Sequence, residues 1–523
     1  MFWDLRLVIL FTLFSGMPCS AFAQVHPANP DSALQNILDH MEGTYLRLED
    51  AVQYALRNAT SVRTAEAAYL SARGAARREA GAFDPEFYFT LNQLNQEQAS
   101  ASFFAGAPVL NTTQTTASTG LRLELPIGMN LEASLNTVRL KTNSAFAFLN
   151  PQYTTFGNIT LRQPLLGGFH VSARKELVKA EQEMEAAKTR YDQETIAIST
   201  VVEQSYWDVY AAERDYAVQK LTRDRAEAFL KDTELRAKTG LIGPNQVANA
   251  RTFLAEQEIL YLDRDEHLDR LSDQLATLMG VRPESRMRHF ITVDEPPGEF
   301  PLEEADTLVQ QAGQRNLQLQ AAKADIEAQR ALSSAAFWEA LPKVDLVGSL
   351  GGNGLAGTAQ DVIFGADTLR TTVGGGFEDA LRQAVKREFP SWSIGVEVTI
   401  PIGLRSGLGE QDRLEAEVIM AEQRYVQQMR ILEEQVRASH RELFHGKRRL
   451  QAAREGVEAA QEQVRIGLIE FQNGRSTAFE LVRLGADFAV AQQRYSQALV
   501  RSAKAAASLR QLTSGSYTGR ASQ

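Results

Sequence analysis

From Ser172 to Thr239 the chain runs 68 residues without a glycine or a proline, and Gly240 ends the run. At about 1.5 Å per residue such a helix makes a rod of roughly 100 Å, whereas an ordinary globular helix has about 11–12 residues. It cannot be the core helix of a globular domain. Its apolar face repeats in sevens, at Leu177, Met184, Tyr191 and Ile198, with Ser205 and Ala212 continuing the seam. That spacing, kept over several turns, marks helices that coil against partner helices. Taken alone, it fits a free-standing coiled-coil stalk.

The 523 residues include 65 acidic and 55 basic side chains, a mild acidity that argues against a dedicated nucleic-acid surface. No run of about 20 apolar residues occurs, so no helix is expected to span a membrane. Residues 1–23 read as a secretory signal. Arg6 precedes an apolar core from Leu7 to Phe14, and Ala21-Phe22-Ala23 fits the small-x-small cleavage pattern. The one cysteine, Cys19, falls inside that signal, so a mature chain from Gln24 would form no disulfide and no cysteine-ligated metal site. Pro18 immediately before Cys19, and Gly16 where an aliphatic residue is wanted, argue against a lipid-anchoring role.

After a polar N-terminal linker (24–47), one pattern occurs twice. Leu48-Glu49-Asp50-Ala51 and Leu302-Glu303-Glu304-Ala305 each open a helix with acids suited to the positive end of its dipole. Asn58 and Asn316 follow, and each run ends at a proline, Pro85 or Pro342, that leads into a strand-like segment. Each half then has a rod of more than 60 residues, a glycine turn and a helix half as long. The economical explanation is a duplicated unit, with repeats at 48–300 and 301–513 and a tail at 514–523. The predicted helices are Leu48–Ala82, Ser172–Thr239 and Asn245–Met279, then Leu302–Leu341, Glu410–Asn473 and Ser476–Leu512. In each half, two shorter helices laid end to end match the long one.

The strands alternate apolar with polar or small residues, as in Trp392-Ser393-Ile394-Gly395-Val396-Glu397-Val398 and Leu121-Arg122-Leu123-Glu124-Leu125. Period two with one apolar face fits a half-buried antiparallel sheet, and equally a lipid-facing barrel with a wet lumen. The secretory signal and the aromatics near strand ends favour the membrane. The second half offers strands near Lys343–Leu350 and Ser391–Ile400, joined by a glycine-rich loop from Gly351 to Pro390. The first half offers Glu86–Gln93 and Ile159–Leu165, with a further pair, Gly120–Ile127 and Asn130–Lys141, between them. Four to six strands are too few to close a membrane barrel, which needs about eight or more. Open edges cannot face lipid. Several copies must therefore share one barrel.

The ordered motifs now carry a resemblance. The doubled helix starts, the strand exits Gln163-Pro164-Leu165-Leu166-Gly167-Gly168 and Ile400-Pro401-Ile402-Gly403, and the turns Gly240-Leu241 and Asn473-Gly474-Arg475-Ser476-Thr477 resemble the TolC-like outer-membrane efflux proteins. The resemblance runs from Leu48 to about Thr513. It implies a mainly α protein with a membrane β-barrel portion: a homotrimer whose shared transmembrane β-barrel continues into a coiled-coil α-helical barrel. The implied location is the outer membrane, in contact with its lipid and extending into the periplasm. The implied partners are a periplasmic adaptor (a membrane fusion protein) and an inner-membrane pump. The implied role is a passive exit duct whose gate is the tip around Gly240 and Gly474.

The family usually has two strands per half, so the additional pair here either joins the barrel or extends outside the membrane. The family's closed tip is often held by a Tyr–Asp link and an Arg–Thr link. By position the first pair becomes Phe471 and Gln246, and the second becomes Ser476, beside Arg475, and Asn245. Phenylalanine has no hydroxyl to donate, so that lock does not transfer. A constriction ring maps to Glu480, with Arg483 in place of the family's second acid. Three copies of Glu480 would favour cations, and Arg483 would partly offset them.

Enzymatic readings find little support, and no cofactor is expected. His440 and His445 are five apart, off one helical face and so a poor metal pair. Gly348, Gly351, Gly352 and Gly354 lie at a strand end rather than in a phosphate cradle. The favoured function is an efflux exit duct. Alternatives are the duct of a type I protein secretion system and a pore-free coiled-coil structural or adhesin protein.

Overall fold

The structure, a computed structural model, describes residues 32–102, 105–284, 287–365, 367–473 and 475–517. The expected signal segment with Cys19, the turn residue Gly474 and the last six residues of the tail lie outside the described residues. The chain divides into two compact units. The larger comprises Thr44–Tyr210, Asp269–Gln451 and 497–517; the smaller comprises 32–43, Ala211–Leu268 and Ala452–Ser496.

In chain order the elements are α1 (Ser32–Asp39), β1 (Thr44–Leu46), α2 (Leu48–Asn58), α3 (Thr60–Ala80), β2 (Glu86–Ala99), β3 (Val109–Glu124), β4 (Asn130–Thr142) and β5 (Leu149–Pro164). A short α4 (His170–Ala173) precedes the first rod, α5 (Lys175–Lys238), which is followed by α6 (Pro244–Met279) and β6 (Phe290–Thr292). The second half comprises α7 (Ala305–Arg315), α8 (Leu317–Ala340), β7 (Lys343–Ala359), β8 (Val362–Phe364), β9 (Asp367–Leu369), α9 (Phe377–Lys386) and β10 (Phe389–Thr399). It ends with the second rod, α10 (Arg405–Gln472), and α11 (Ala478–Leu512). The rods have 64 and 68 residues; the first follows from its glycine- and proline-free run, and the second stays helical through Gly446, Gly456 and Gly467. In the heptad seam of α5, Ile198 and Ala212 are buried, and Leu177, Met184, Tyr191 and Ser205 are half-buried within one chain.

Three expectations are corrected. The helices expected at Leu48–Ala82 and Leu302–Leu341 each break after one short helix. Ala59 and Asn316 there adopt extended backbone, with ψ of 127° and 121°. The asparagines account for the breaks. Asn58 Nδ2 donates to Met279 O (3.2 Å) and Asn316 Nδ2 to Leu512 O (2.9 Å), each tying a short helix to the end of its own half's returning helix. This equivalence supports the duplication. Second, the glycine-rich segment after Gly351 is strand as far as Ala359, followed by the β8–β9 hairpin and α9. Third, the polar lead contains α1 and β1. Leu34 of α1 packs with Ala217, Val218 and Leu221 of α5 and Ala489 of α11 in the smaller unit.

In the larger unit, β1 pairs in parallel with β6 beside the fully buried Tyr206 of α5. The Tyr206 hydroxyl lies 3.0 Å from Leu46 O and 3.1 Å from Asp294 Oδ2, and accepts from the N–H groups of Val293 and Asp294 at 3.0 Å. Burial pushes its pKa up, so it stays a neutral donor. In the second half, Leu308, Ala312, Leu319, Leu432, Val436 and Leu509 form a core with Tyr517, whose hydroxyl donates to Pro301 O at 2.7 Å. Helix α8 lies between the rods. It reaches α5 through the Arg190–Asp325 pair and Lys175–Glu339 (2.7 Å), and α10 through Arg330–Glu422 (2.6 Å). Seven of its residues are buried, against only Val62 and Ala76 in its repeat counterpart α3. The shorter helices thus meet end to end within each half, and α8 also packs beside the first half's rod.

Tyr206→Phe strands the Asp294 N–H group in a part-buried site, while Val293 N–H keeps its bond to Leu46 O (3.1 Å). An unsatisfied buried group costs about 1–3 kcal/mol, so the thermal unfolding midpoint, followed by circular dichroism, should fall by several degrees. An unchanged midpoint would show the hydroxyl to be dispensable.

Candidate functional site

Six strands form one antiparallel sheet in the order β10-β7-β5-β4-β3-β2, so the additional first-half pair is part of it. The strands outrun their predicted limits, β3 and β5 reaching 16 residues each and β7 reaching 17. The register places Phe87, Leu121, Ala133, Ile159, Leu350 and Trp392 in a single row across all six. Rows on the same face add Leu123, Leu131, Leu161 and Ile394 on one side and Phe89 and Leu135 on the other. This apolar band continues to Val398 and Leu91, close to the about 9–11 residues of a tilted membrane strand. Trp392 is 73% exposed and Ile394 71%, so little among the described residues covers them.

The opposite face is polar. Arg122 Nε lies 3.5 Å from Glu132 Oε2, and its guanidinium stands 4.3 Å above the Tyr88 ring, while the Tyr88 hydroxyl donates to Glu132 Oε1 at 2.6 Å. Arg162 bridges Asp345 Oδ2 (2.6 Å) and Glu397 Oε2 (3.1 Å) across three strands. Carboxylates and guanidiniums alternate along this face. It suits water, and the other suits hydrocarbon. The sheet is open, and its edge strands β2 and β10 are exposed along nearly their whole length.

The smaller unit holds the turns singled out in the sequence. Gly240 (φ +76°) closes α5 in a Schellman arrangement, with Gly240 N–H donating to Ala237 O and Leu241 N–H to Arg236 O, both at 3.0 Å. Leu241 is 74% exposed. Asn245 and Gln246 lie exposed in the first turn of α6, which opens on Pro244, a favoured first helical residue. Phe471 lies in the last turn of α10. Past it, Arg475 N–H donates to Glu470 O at 2.8 Å. Among the described residues, no hydrogen bond joins Asn245 or Gln246 to Arg475 or Ser476 within the chain.

Glu480 has a local role that the ring assignment did not include. Thr477 caps α11, its Oγ1 accepting from Glu480 N–H (3.2 Å), and the Glu480 carboxylate accepts from Ser476 Oγ (3.1 Å). Thr477-x-x-Glu480 carries the residues of a capping box, a signal legible in the sequence. Arg483, one turn on, is exposed. The packing beneath was not legible. The hydroxyls of Tyr216 and Tyr261 meet at 3.1 Å, with the Arg223 guanidinium 5.0 Å from the Tyr261 ring centroid and its Nε 3.5 Å from Glu258. Burial raises the pKa of Tyr216. Phe229 of α5 meets Phe479 of α11 with ring centroids 6.1 Å apart.

Thr477→Ala should loosen the start of α11, since losing such a cap costs about 1 kcal/mol. Amide exchange over residues 479–482 should quicken several-fold. In Glu480→Gln, which keeps an acceptor for Ser476, it should change little. Equal effects would remove the cap from this account.

The family model described as outer membrane efflux protein matches residues 308–515. No curated protein matches the chain in sequence. Among solved structures, the CmeC outer membrane channel of Campylobacter jejuni superposes with a TM-score of 0.62 at 13% identity, over 90% of this chain and 86% of that one. The outer membrane protein VceC of Vibrio cholerae gives 0.60 at 15%, over 90% and 96%. The open MtrE outer membrane channel of Neisseria gonorrhoeae gives 0.59 at 16%, over 90% and 89%. The second half thus matches the outer membrane efflux protein model, and nine-tenths of the chain shares the fold of these outer membrane channels.

Proposed function

We propose that the protein is the outer-membrane exit duct of a tripartite efflux system, passively conducting substrates delivered by an inner-membrane pump and a periplasmic adaptor. The observation that carries this is the two-faced sheet with two uncovered edges. Hydrocarbon offers no partner for the unpaired backbone groups of β2 and β10, and only a closed barrel satisfies them. The edge of one copy pairs with the opposite edge of the next. In the family's trimer, three copies of six strands make eighteen. The uncovered helix α3 supports the same closure. Its counterpart α8 is seated between two rods, and α3 finds the equivalent seat against a neighbouring copy.

In this reading the polar face with Arg122, Glu132, Arg162 and Asp345 lines the lumen. The turns with Gly240, Leu241, Asn245 and Gln246, and with Phe471, Gly474, Arg475, Ser476 and Thr477, form the periplasmic gate. Glu480 and Arg483 line the constriction. Adaptor binding opens the tip by as much as the adaptor prefers the open form.

Detergent-extracted protein should have the mass of three chains and form cation-preferring channels in planar bilayers. Glu480→Gln should lower the cation preference and Arg483→Gln should raise it. A monomeric, poreless particle would end the duct reading. Unchanged selectivity in both variants would remove the ring alone.

A further inference from the structure

Helix α9 lies on the apolar face of the sheet, at the upper rim of the band. Its buried side chains are Ala380 and Ala384. They rest on β7 at Gly354 and Gly352, where an added Cβ would run into the backbone oxygens of Ala380 and Ala384 respectively. Glycine at these two positions lets the helix lie flat on the barrel wall. Three further contacts fix it: Phe377 packs on Tyr153 (ring centroids 6.4 Å apart), Gln383 Oε1 accepts from Leu355 N–H (2.9 Å), and Arg387 Nε donates to Gly351 O (3.2 Å).

The flanks of the helix differ. Val385, 68% exposed, borders an apolar groove with Phe87, Leu121, Ile159 and Leu350 of the band. Gln383 lies on the other flank, toward the polar end of the strands. Arg382 and Lys386, opposite the buried alanines, are exposed. On the same sheet face and beyond the band, β4 carries exposed Arg139 and Lys141, and Arg139 is the register partner of Tyr153. Arg382 is neutralised by Asp379. Among the described residues, Arg139, Lys141 and Lys386 have no ion-pair partner, and Glu378 is the one acid on α9 likewise unpaired.

We propose that α9 is an interfacial helix, with its Val385 flank in the acyl region, and that Arg139, Lys141 and Lys386 hold the phosphates of outer-leaflet lipid headgroups. An apolar flank continuous with the lipid-facing band, topped by basic side chains, is the arrangement of a helix lying in a headgroup layer. The strand rows fix its depth, at the level where the band gives way to polar residues. This proposal rests on the outer-membrane reading above.

The test uses the full-length protein and R139Q/K141Q/K386Q, reconstituted in phosphatidylcholine vesicles containing either bis-phosphorylated lipid A or the same lipid dephosphorylated. Channel current and the lipid retained through a detergent wash are both measured. A basic side chain near an anionic surface contributes about fivefold, so the wild type should retain the phosphorylated lipid at least about fivefold better. The variant should lose that preference, and excess inorganic phosphate should not displace the lipid. Conducting protein that retains both lipids equally, or a variant with an unchanged preference, overturns the lipid site and leaves the duct intact. Protein that neither inserts nor conducts overturns both.

Discussion

Backbone hydrogen bonding at the two sheet edges is the constraint from which the rest follows. An unpaired N–H or C=O is inexpensive in water but costs several kcal/mol in hydrocarbon. The row from Phe87 to Trp392 commits one face of the sheet to an apolar medium, and β2 and β10 run beside it with free edges. A single chain cannot satisfy both conditions. Copies placed edge to edge can, and closure then fixes which face meets lipid and which meets water.

Duplication with divergence lets the helical part obey the same logic. Asn58 and Asn316 hold equivalent breaks, each donating to the last carbonyl of its half's returning helix. Yet α8 is covered on both sides, while α3 buries only two residues. A near-symmetric unit closes one seam internally and leaves its twin uncovered. Close axes need small residues at crossings. A Cβ on Gly407 would sit 2.7 Å from Ala340 Cα, and one on Gly446 would sit 2.7 Å from Ser502 Oγ. Gly446, inside the second rod, is thus a packing contact.

Much of this was legible because periodicity is local. Rod length, strand alternation and the Gly240 turn are properties of adjacent residues, and they carried the long helices and the antiparallel sheet. The errors arose where a distant partner decides. Gly351 to Gly357 read as loop because glycine disfavours strands, but α9 and the flanking strands approach β7 too closely for side chains. The breaks at Asn58 and Asn316 depend on carbonyls 221 and 196 residues away. The Tyr216–Tyr261 pair joins separate helices, and heptad spacing identifies a face without identifying what it meets. The tip residues carried no such local code, except for Thr477-x-x-Glu480, whose capping pattern was available and passed over.

In the proposed duct, charge pairing separates residues that shape the wall from those that select within it. Arg122 is matched by Glu132, and Arg162 by Asp345 and Glu397. Opposite charges about 3 Å apart act on a passing ion mainly as dipoles, whose field falls away faster than that of a single charge. Glu480 differs, because its hydrogen-bond partner Ser476 is neutral and its charge remains. The carboxylate sits at the positive end of α11, so the contacts that order the turn also hold the acid in place. In the proposed constriction, selectivity depends on the difference between Glu480 and Arg483, two side chains on adjacent turns of one helix.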